Sequence, residues 1–328
     1  MPPHRLAIVV IGRNEGPRLA ACLASAPDGV TVVYADSAST DDSVTMARAA
    51  GAEVVALHPD TPLTAARGRN AGAAKAIALD PDLAFIQFVD GDCTILPEWL
   101  PAAVDFLTAH PEVAVVCGRR FERHPERSLY NAMCDREWNT PVGQADASGG
   151  DALVRVRAFA EVGGFADDQV AHEEPEMCGR LRAAGWTIWR LDVPMTAHDA
   201  NITRLGQFYR RSRRAGLGIS QCLDRGGAGR DPQGAAIVRR ALIWGVALPV
   251  AIIASLAIDA RLAAVMAAAY PAQLLRQTAR NRRQGWTGGE AVRVAALGIV
   301  SKFAEAHGVV EYWMARLTGR RHRPVTYK

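Results

Sequence analysis

Short apolar runs alternate with amphipathic segments along the first third of the chain. The runs are rich in Val and Ile and end at Gly or Asp, as buried strands do, and amphipathic stretches follow the first two. Strands that alternate with helices at this spacing favour an α/β fold with a mostly parallel sheet. The predicted strands cover residues 5–11, 30–35, 52–57, 83–89 and, further along, 187–191.

Acidic residues stand where two of these strands end. Asp36 follows the second strand, and the strand over residues 83–89 ends in Asp90-Gly91-Asp92. Parallel strands bring their carboxyl ends to one edge of a sheet, which is where open α/β sheets bind ligands. Two carboxylates across a glycine offer oxygen ligands to a divalent cation. The alternative for Asp90-Gly91-Asp92 is a solvated turn.

The hydrophobic pattern changes after residue 205. Ala241–Ile258 is a run of 18 residues without a charge, long enough for one membrane span. The next apolar run, Leu262–Leu275, has 14 residues and predicts a second span or a re-entrant helix. Arginines flank the pair on both outer sides, which favours a hairpin with both ends in the cytoplasm. A buried helical pair in a soluble domain is the alternative.

The segments around this hairpin are basic. Gln207–Arg214 mixes four arginines with Phe and Tyr, as headgroup-layer segments do, and residues 224–235 predict a loop. Residues 291–317 predict an amphipathic helix that lies on the membrane or against the hairpin. A basic tail, residues 320–328, ends the chain.

Charge divides the chain in two. Residues 201–328 hold 21 Lys and Arg against 6 Asp and Glu, a net charge of +15. The first 200 residues hold 17 against 28, a net charge of −11. An acidic first part argues against nucleic acid as a partner, and the basic, apolar second part favours an anionic membrane surface.

Two further observations concern the cellular compartment. The six cysteines form no CxxC pair, which is typical of reduced cytosolic thiols without a zinc site. The apolar run at the amino terminus has six residues, too few for a signal peptide, so we expect the first part in the cytoplasm.

The order and spacing of several motifs resemble those of family-2 glycosyltransferases over residues 5–205. This family has the GT-A fold of nucleotide-diphospho-sugar transferases and takes its sugar from a nucleotide-sugar donor. The motifs are Asn14-Glu15 after the first strand, Asp36-Ser37-Ala38-Ser39-Thr40-Asp41, Ala66-Arg67-Gly68-Arg69-Asn70-Ala71-Gly72, Asp90-Gly91-Asp92, Gly149-Gly150-Asp151, Val162-Gly163-Gly164-Phe165 and Glu173-Glu174-Pro175-Glu176.

The resemblance implies a donor site built on these motifs. Asn14 and Glu15 fall in its first motif, Asp36 would contact the base or ribose, and Asp90 would reach the ribose. Asp92 would bind Mg²⁺ or Mn²⁺ at the diphosphate, with Asp90 beside it. Some relatives use a histidine near position 198 as a further metal ligand, so His198 is either a ligand or an ordinary hydrogen-bonded histidine. Arg69 is either a phosphate or base contact or a solvated arginine at a helix start.

The resemblance also implies a general base. The family usually has Glu-Asp where this chain has Glu173-Glu174, and the second acid takes the acceptor's proton. Glu174 is therefore the predicted base and Glu173 the fallback. We expect Glu174 to be ionised at neutral pH because helix amino termini favour negative charge. The alternative is a cluster of acids that only stabilises the helix start.

Together these observations predict an inverting, metal-dependent glycosyltransferase of the cytoplasmic membrane, with an acceptor that is lipid-linked or a glycan and a role in surface polysaccharide or glycolipid synthesis. We expect a GT-A domain over residues 1–205, an interfacial segment and loop over 206–235, and a membrane hairpin with an amphipathic helix over 236–328. The alternatives are a sugar-phosphate nucleotidyltransferase and a catalytically inactive scaffold that binds nucleotide sugars.

Overall fold

A computed structural model describes residues 5–226 and 231–319 of the chain. The chain divides into two compact units. The first runs to Pro125 and resumes over Cys134–Asn201, and the second comprises Glu126–Met133 and the chain from Ile202 onward. The predicted tail at residues 320–328 lies outside the described residues.

The first unit is an α/β sandwich around one mixed sheet. Its strands are β1 Leu6–Gly12, β2 Thr31–Asp36, β3 Glu53–Ala56, β4 Phe85–Asp90, β5 Cys93–Ile95, β6 Val113–Glu122, β7 Gly143–Ala145, β8 Ala152–Arg155 and β9 Thr187–His198. Its helices are α1 Pro17–Leu23, α2 Ser43–Ala49, α3 Ala65–Leu79, α4 Trp99–Ala109, α6 Val156–Glu161 and α7 Glu173–Ala183, and α5 Leu129–Glu137 begins in the second unit.

The sheet order is β3-β2-β1-β4-β8-β6-β9-β5, and β7 pairs with β9. The first four strands in that order are parallel, while β8 runs antiparallel between β4 and β6. β9 is parallel to β6 and antiparallel to β5. The carboxyl ends of β1, β2 and β4 therefore meet at one edge, and the predicted α/β class is confirmed.

The last predicted strand is longer than the sequence indicated. We expected it to end at Leu191, but β9 continues to His198. The Asp192 side chain projects into solvent, and Pro194 lies opposite Arg119, where the ladder with β6 shifts register. Proline cannot donate to a ladder and is tolerated at such an irregularity. This extension brings His198 into the sheet.

The sequence of residues 119–148 has no strong strand or helix pattern, but the segment contains the end of β6, all of α5 and β7. Arg119 and Arg120 interrupt the apolar run of β6. Both arginines pair with carboxylates inside the unit, so their charge does not end the strand. A strand that contains such charge pairs is missed when strands are predicted from runs of apolar residues.

The second unit is helical over the residues described. Its helices are α8 Leu205–Gly226, α9 Pro232–Leu242, a π-helical segment Ile243–Ala247, α10 Leu248–Leu256, α11 Ala260–Ala267, α12 Ala269–Arg283 and α13 Gly288–Leu317. The loop predicted over residues 224–235 is therefore shorter than expected, and residues 227–230 of it lie outside the described ranges. The π-helical segment ends two residues before Pro249, and the wider turn accommodates the N–H that proline lacks.

Small residues let α8 and α13 pack closely. A Cβ atom at Gly216 would collide with the backbone of Glu305, and one at Gly308 would collide with the backbone of Arg213. The buried face of α13 is accordingly formed mostly by Ala and Gly. Several larger apolar residues of α13, among them Val310 and Met314, are exposed instead.

In the part of the chain that the structure describes, one continuous helix, Pro232–Leu256, is long and apolar enough to cross a membrane. Its length and composition meet that requirement, and little of its most apolar stretch is buried. The second predicted arm, Leu262–Leu275, is divided between α11 and α12.

Candidate active site

The loops after β1 and β2 are joined by Asn14. Asn14 adopts a left-handed backbone conformation, with a φ of 56°, which Asn tolerates better than most residues. Its side-chain oxygen accepts a hydrogen bond from the Thr40 N–H at 2.7 Å, and its own N–H donates to Ser39 Oγ at 2.9 Å. These bonds fix the two loops relative to each other at the sheet edge.

Asp36 is buried at the end of β2. One of its oxygens accepts a hydrogen bond from the Tyr34 hydroxyl at 3.0 Å, and the other accepts one from the Ser39 N–H at 2.9 Å. A carboxylate oxygen has a second lone pair, so each can accept one further bond. Asp36 is thus held rigidly and keeps acceptor capacity for a ligand.

The Asp90-Gly91-Asp92 turn links β4 to β5 beside the first loop. The Gly91 N–H donates to the Ile11 carbonyl at 2.8 Å, and a Cβ atom at Gly91 would lie 3.2 Å from that oxygen. The side chain of Glu15 is next to the same position. This close approach favours glycine, and it holds both acids against the end of β1.

Arg69 connects the two acidic motifs. It lies in α3, is 2% exposed, and donates from Nη2 to Asp90 Oδ1 at 2.8 Å and from Nη1 to Glu173 Oε1. Its guanidinium also lies over the Phe165 ring, 5.6 Å from the centroid. The alternative of a solvated arginine is therefore wrong.

Arg120 and Asp151 complete this charge network, and neither was among the predicted site residues. Arg120 Nη2 lies 3.2 Å from Asp90 Oδ2, and Arg120 Nε lies 3.6 Å from Asp151. Asp151 accepts hydrogen bonds from the Asp90 N–H and from the Thr196 hydroxyl. The detectable signal was Arg120 inside an apolar run, since such a charge needs a buried partner.

The network determines the charge of Asp90. Burial alone would raise the pKa of its carboxyl, but Arg69 and Arg120 outweigh that effect and hold the pKa below its usual range. Each oxygen of Asp90 contacts one guanidinium group, and the carboxylate therefore remains ionised.

Asp92 and His198 form a second cluster. His198 Nε2 lies 3.3 Å from Asp92 Oδ2, and both side chains are buried. Cys93 lies beside them, so that a carboxylate oxygen, a thiol and an imidazole nitrogen are within 4.8 Å of one another. Oxygen and imidazole ligands suit Mn²⁺ and related cations. The donor atoms of this cluster thus fit a divalent cation, which Asp92 and His198 could hold.

Glu174 lies at the start of α7, next to Glu173. Its burial, together with the charge of Glu173, raises the pKa of its carboxyl. We expected the helix amino terminus to favour the charged form, but the loss of hydration outweighs that effect. A carboxylate with a raised pKa binds a proton more readily near neutral pH, as a general base must.

Residues 7–161, which include much of this site, match the sequence model of glycosyl transferase family 2. This stretch is a glycosyl transferase family 2 domain. The enzyme class predicted from the motifs, a glycosyltransferase, is confirmed. No curated protein matches the sequence.

Solved glycosyltransferases share the fold. The mannosyltransferase PcManGT from Pyrobaculum calidifontis, solved with GDP-Man and Mn²⁺, aligns with a TM-score of 0.63 and 18% identity, over 94% of this chain and 87% of that one. S. aureus TarS 1-349 aligns less well, with a TM-score of 0.48 and 15% identity, over 97% of this chain and 93% of that one. Glucosyl-3-phosphoglycerate synthase from M. tuberculosis aligns with a TM-score of 0.46 and 18% identity, over 69% of this chain and 81% of that one. The GT-A fold is confirmed by the first.

The structure thus brings the predicted site residues together in three groups. Asn14, Glu15 and Asp36 lie at the ends of β1 and β2, Asp90 joins Arg69 and Glu173, and Asp92 pairs with His198. Glu174 is adjacent to the second group. Their roles in binding and catalysis stay predictions.

The ion pairs of Arg69 predict a large stability effect. Arg69→Met removes the charge and keeps most of the volume, leaving Asp90 and Glu173 buried without their shared partner. Breaking a buried pair in this way costs about 3–5 kcal/mol. We expect the free energy of unfolding in urea to fall by that amount. The control Arg48→Met, on the exposed face of α2, should change it by less than about 0.5 kcal/mol. Equal urea midpoints for the two variants would contradict the bridge.

Proposed function

We propose that this chain is an inverting glycosyltransferase that moves a sugar from a nucleotide-diphosphate sugar to a lipid-linked or glycan acceptor at the cytoplasmic face of a membrane. The observation that carries the proposal is the Arg69 bridge, which unites the Asp-Gly-Asp motif with the Glu173-Glu174 motif. A donor site and a proton acceptor within one rigid network are what direct displacement at an anomeric carbon requires.

The donor nucleoside would bind at the ends of β1 and β2. Asn14 and Glu15 line this edge, and Asp36 retains the acceptor capacity to bind a base imide or a ribose hydroxyl. The binding of GDP-Man by PcManGT supports a nucleotide-sugar donor here. The main role of Arg69 would be to hold Asp90 and Glu173 in place, and a contact with the donor would be a secondary role.

Asp92 and His198 would hold a divalent cation, Mg²⁺ or Mn²⁺, and the Mn²⁺ in PcManGT supports such an ion. Such a cation, when bound, offsets the negative charge that develops on the departing nucleoside diphosphate. Asp90 would contribute as a ligand only by exchanging one of its two arginine contacts. Asp92 and His198 are therefore the stronger assignments.

Glu174 would take the proton of the acceptor hydroxyl as that oxygen attacks the anomeric carbon. Attack from the face opposite the leaving diphosphate inverts the configuration. Glu173, held by Arg69, would fix the first turn of α7 and so the position of its neighbour. Because burial raises the pKa of Glu174, the acid limb of the rate profile should lie above the ordinary range of a glutamate.

The second unit supports a membrane partner. In the helix Pro232–Leu256 and the following α11, no large apolar side chain is buried and about half are exposed, more than water-soluble proteins usually show. Trp244 and Tyr270 pack together at 5.8 Å where the apolar stretch begins, as interfacial aromatic residues do. The flanking arginines suit a cytoplasmic, anionic headgroup layer. Such an anchor favours an amphiphilic acceptor and a role in surface polysaccharide or glycolipid synthesis.

Asp92→Asn should abolish metal-dependent turnover, because an amide replaces the charged ligand. We would measure turnover of nucleotide sugars with Mg²⁺ and with Mn²⁺, and check folding by circular dichroism. Asp105→Asn, an exposed acid on α4, is the matched control and should retain activity. Normal turnover of Asp92→Asn at ordinary metal concentrations would rule out the assigned metal site.

Glu174→Gln keeps the shape of the base and loses its basicity. It should lower turnover by about 10²- to 10⁴-fold and leave donor affinity nearly unchanged. Glu173→Gln should instead lower stability, since it weakens the pair with Arg69. Turnover, donor affinity and the urea midpoint of both variants test this. If Glu174→Gln is active while Glu173→Gln is stable but inactive, the base is Glu173 and the assignment to Glu174 is wrong.

Full-length protein should stay in membranes through washes with high salt or alkali. The double change Ile253→Asp with Val265→Asp places charges at sites that are 68% and 72% exposed, so packing within the unit is spared. Each acid costs about 2.5–3.5 kcal/mol in a membrane helix, so the variant should be released by alkali. Leu79→Asp, an exposed site in the first unit, should not be released. Stripping of the unaltered protein by salt alone would contradict a hairpin anchor.

A further inference from the structure

Glu122 lies directly behind the candidate metal ligand His198. The two residues are register partners on the neighbouring strands β6 and β9, and Cys93 of β5 pairs with His198 from the other side. The Glu122 side chain is fully buried, and its Oε2 lies 3.7 Å from His198 Nδ1. The other ring nitrogen, Nε2, faces Asp92. The imidazole therefore stands between two carboxylates.

The Glu122 carboxylate is itself held in place. Its Oε1 accepts a hydrogen bond from the His124 N–H at 3.1 Å, and its Oε2 accepts one from the Ala200 N–H at 3.0 Å. The ring of Trp138 packs against the imidazole edge-on, with the centroids 4.7 Å apart. His198 Nδ1 itself is buried without a hydrogen bond, so at 3.7 Å the fixed carboxylate acts on it through its charge.

We propose that Glu122 is a positioning residue for the metal site: its carboxylate keeps the His198 proton on Nδ1 and leaves the Nε2 lone pair directed at the cation beside Asp92. A metal-binding histidine needs one ring nitrogen free of hydrogen, and a carboxylate behind the ring selects that tautomer and orientation. The role rests on the proposed function, in which Asp92 and His198 hold a divalent cation.

A purely structural role is the competing explanation, because Glu122 also binds two backbone N–H groups. Glu122→Gln separates the two. The amide keeps the size of the side chain and one accepting oxygen, so one of the two backbone bonds can still form, but the negative charge beside His198 Nδ1 is lost. A structural role predicts lower stability with the metal affinity unchanged. The positioning role predicts weaker metal binding even in folded protein.

The test measures binding of Mn²⁺ alone to the full-length protein in detergent, from the electron paramagnetic resonance signal of free Mn²⁺. Glu122→Gln should weaken the affinity by about 10- to 100-fold, the usual cost of losing such a partner. The control Glu112→Gln, a half-exposed glutamate at the edge of β6, should bind as the unaltered protein does. Glu122→Asp, which keeps the charge, should recover part of the loss and serves if the glutamine variant does not fold.

A double variant makes the assignment specific. If Glu122 acts through the imidazole, adding Glu122→Gln to His198→Ala should weaken Mn²⁺ binding no further than His198→Ala does alone. Losses that multiply in the double variant, or unaltered Mn²⁺ binding in folded Glu122→Gln, would overturn the positioning role. Unaltered protein that binds no Mn²⁺ would overturn the metal site of the proposed function as well.

Discussion

The candidate active site depends on one buried guanidinium. Arg69 lies between Asp90, at the end of β4, and Glu173, at the start of α7, and pairs with both. Two carboxylates taken out of water are costly unless they are paired and hydrogen-bonded. Because a single planar fork satisfies both acids, α3 fixes the distance between the two motifs. The bridge thus joins the two acidic motifs through buried ion pairs.

Around this bridge, charges are arranged in a chain of alternating sign. Arg120 pairs with the far side of Asp90 and with Asp151, and Asp151 in turn accepts a bond from the Asp90 backbone. Asp92 and His198 lie beside this chain of charges, and His198 faces Asp92 on one side and Glu122 on the other. The engaged acids hold the frame, while the second cluster has the donor atoms that a cation would use.

The helical unit follows a different packing principle. α8 and α13 approach through Gly216 and Gly308, so small residues form the interior and the larger apolar side chains point outward. In water such an arrangement exposes the wrong side chains, but a lipid environment removes that penalty. The exposed apolar residues of α13 and of the helix Pro232–Leu256 are therefore consistent with the same packing through small residues.

The sequence alone determined the α/β class, the strands β1 to β4 and the family, because alternating apolar runs and closely spaced motifs are local signals. It also identified Asp90, Asp92, Glu173, Glu174 and His198 as candidates. It did not indicate the length of β9, the strand that contains Arg120, or the partners of any charge. Those depend on which side chains meet across the sheet, as Arg69 meets Glu173 over 104 positions of chain. Only the tertiary structure decides such pairs. A buried charge needs a partner, but the local sequence does not show which distant residue provides it.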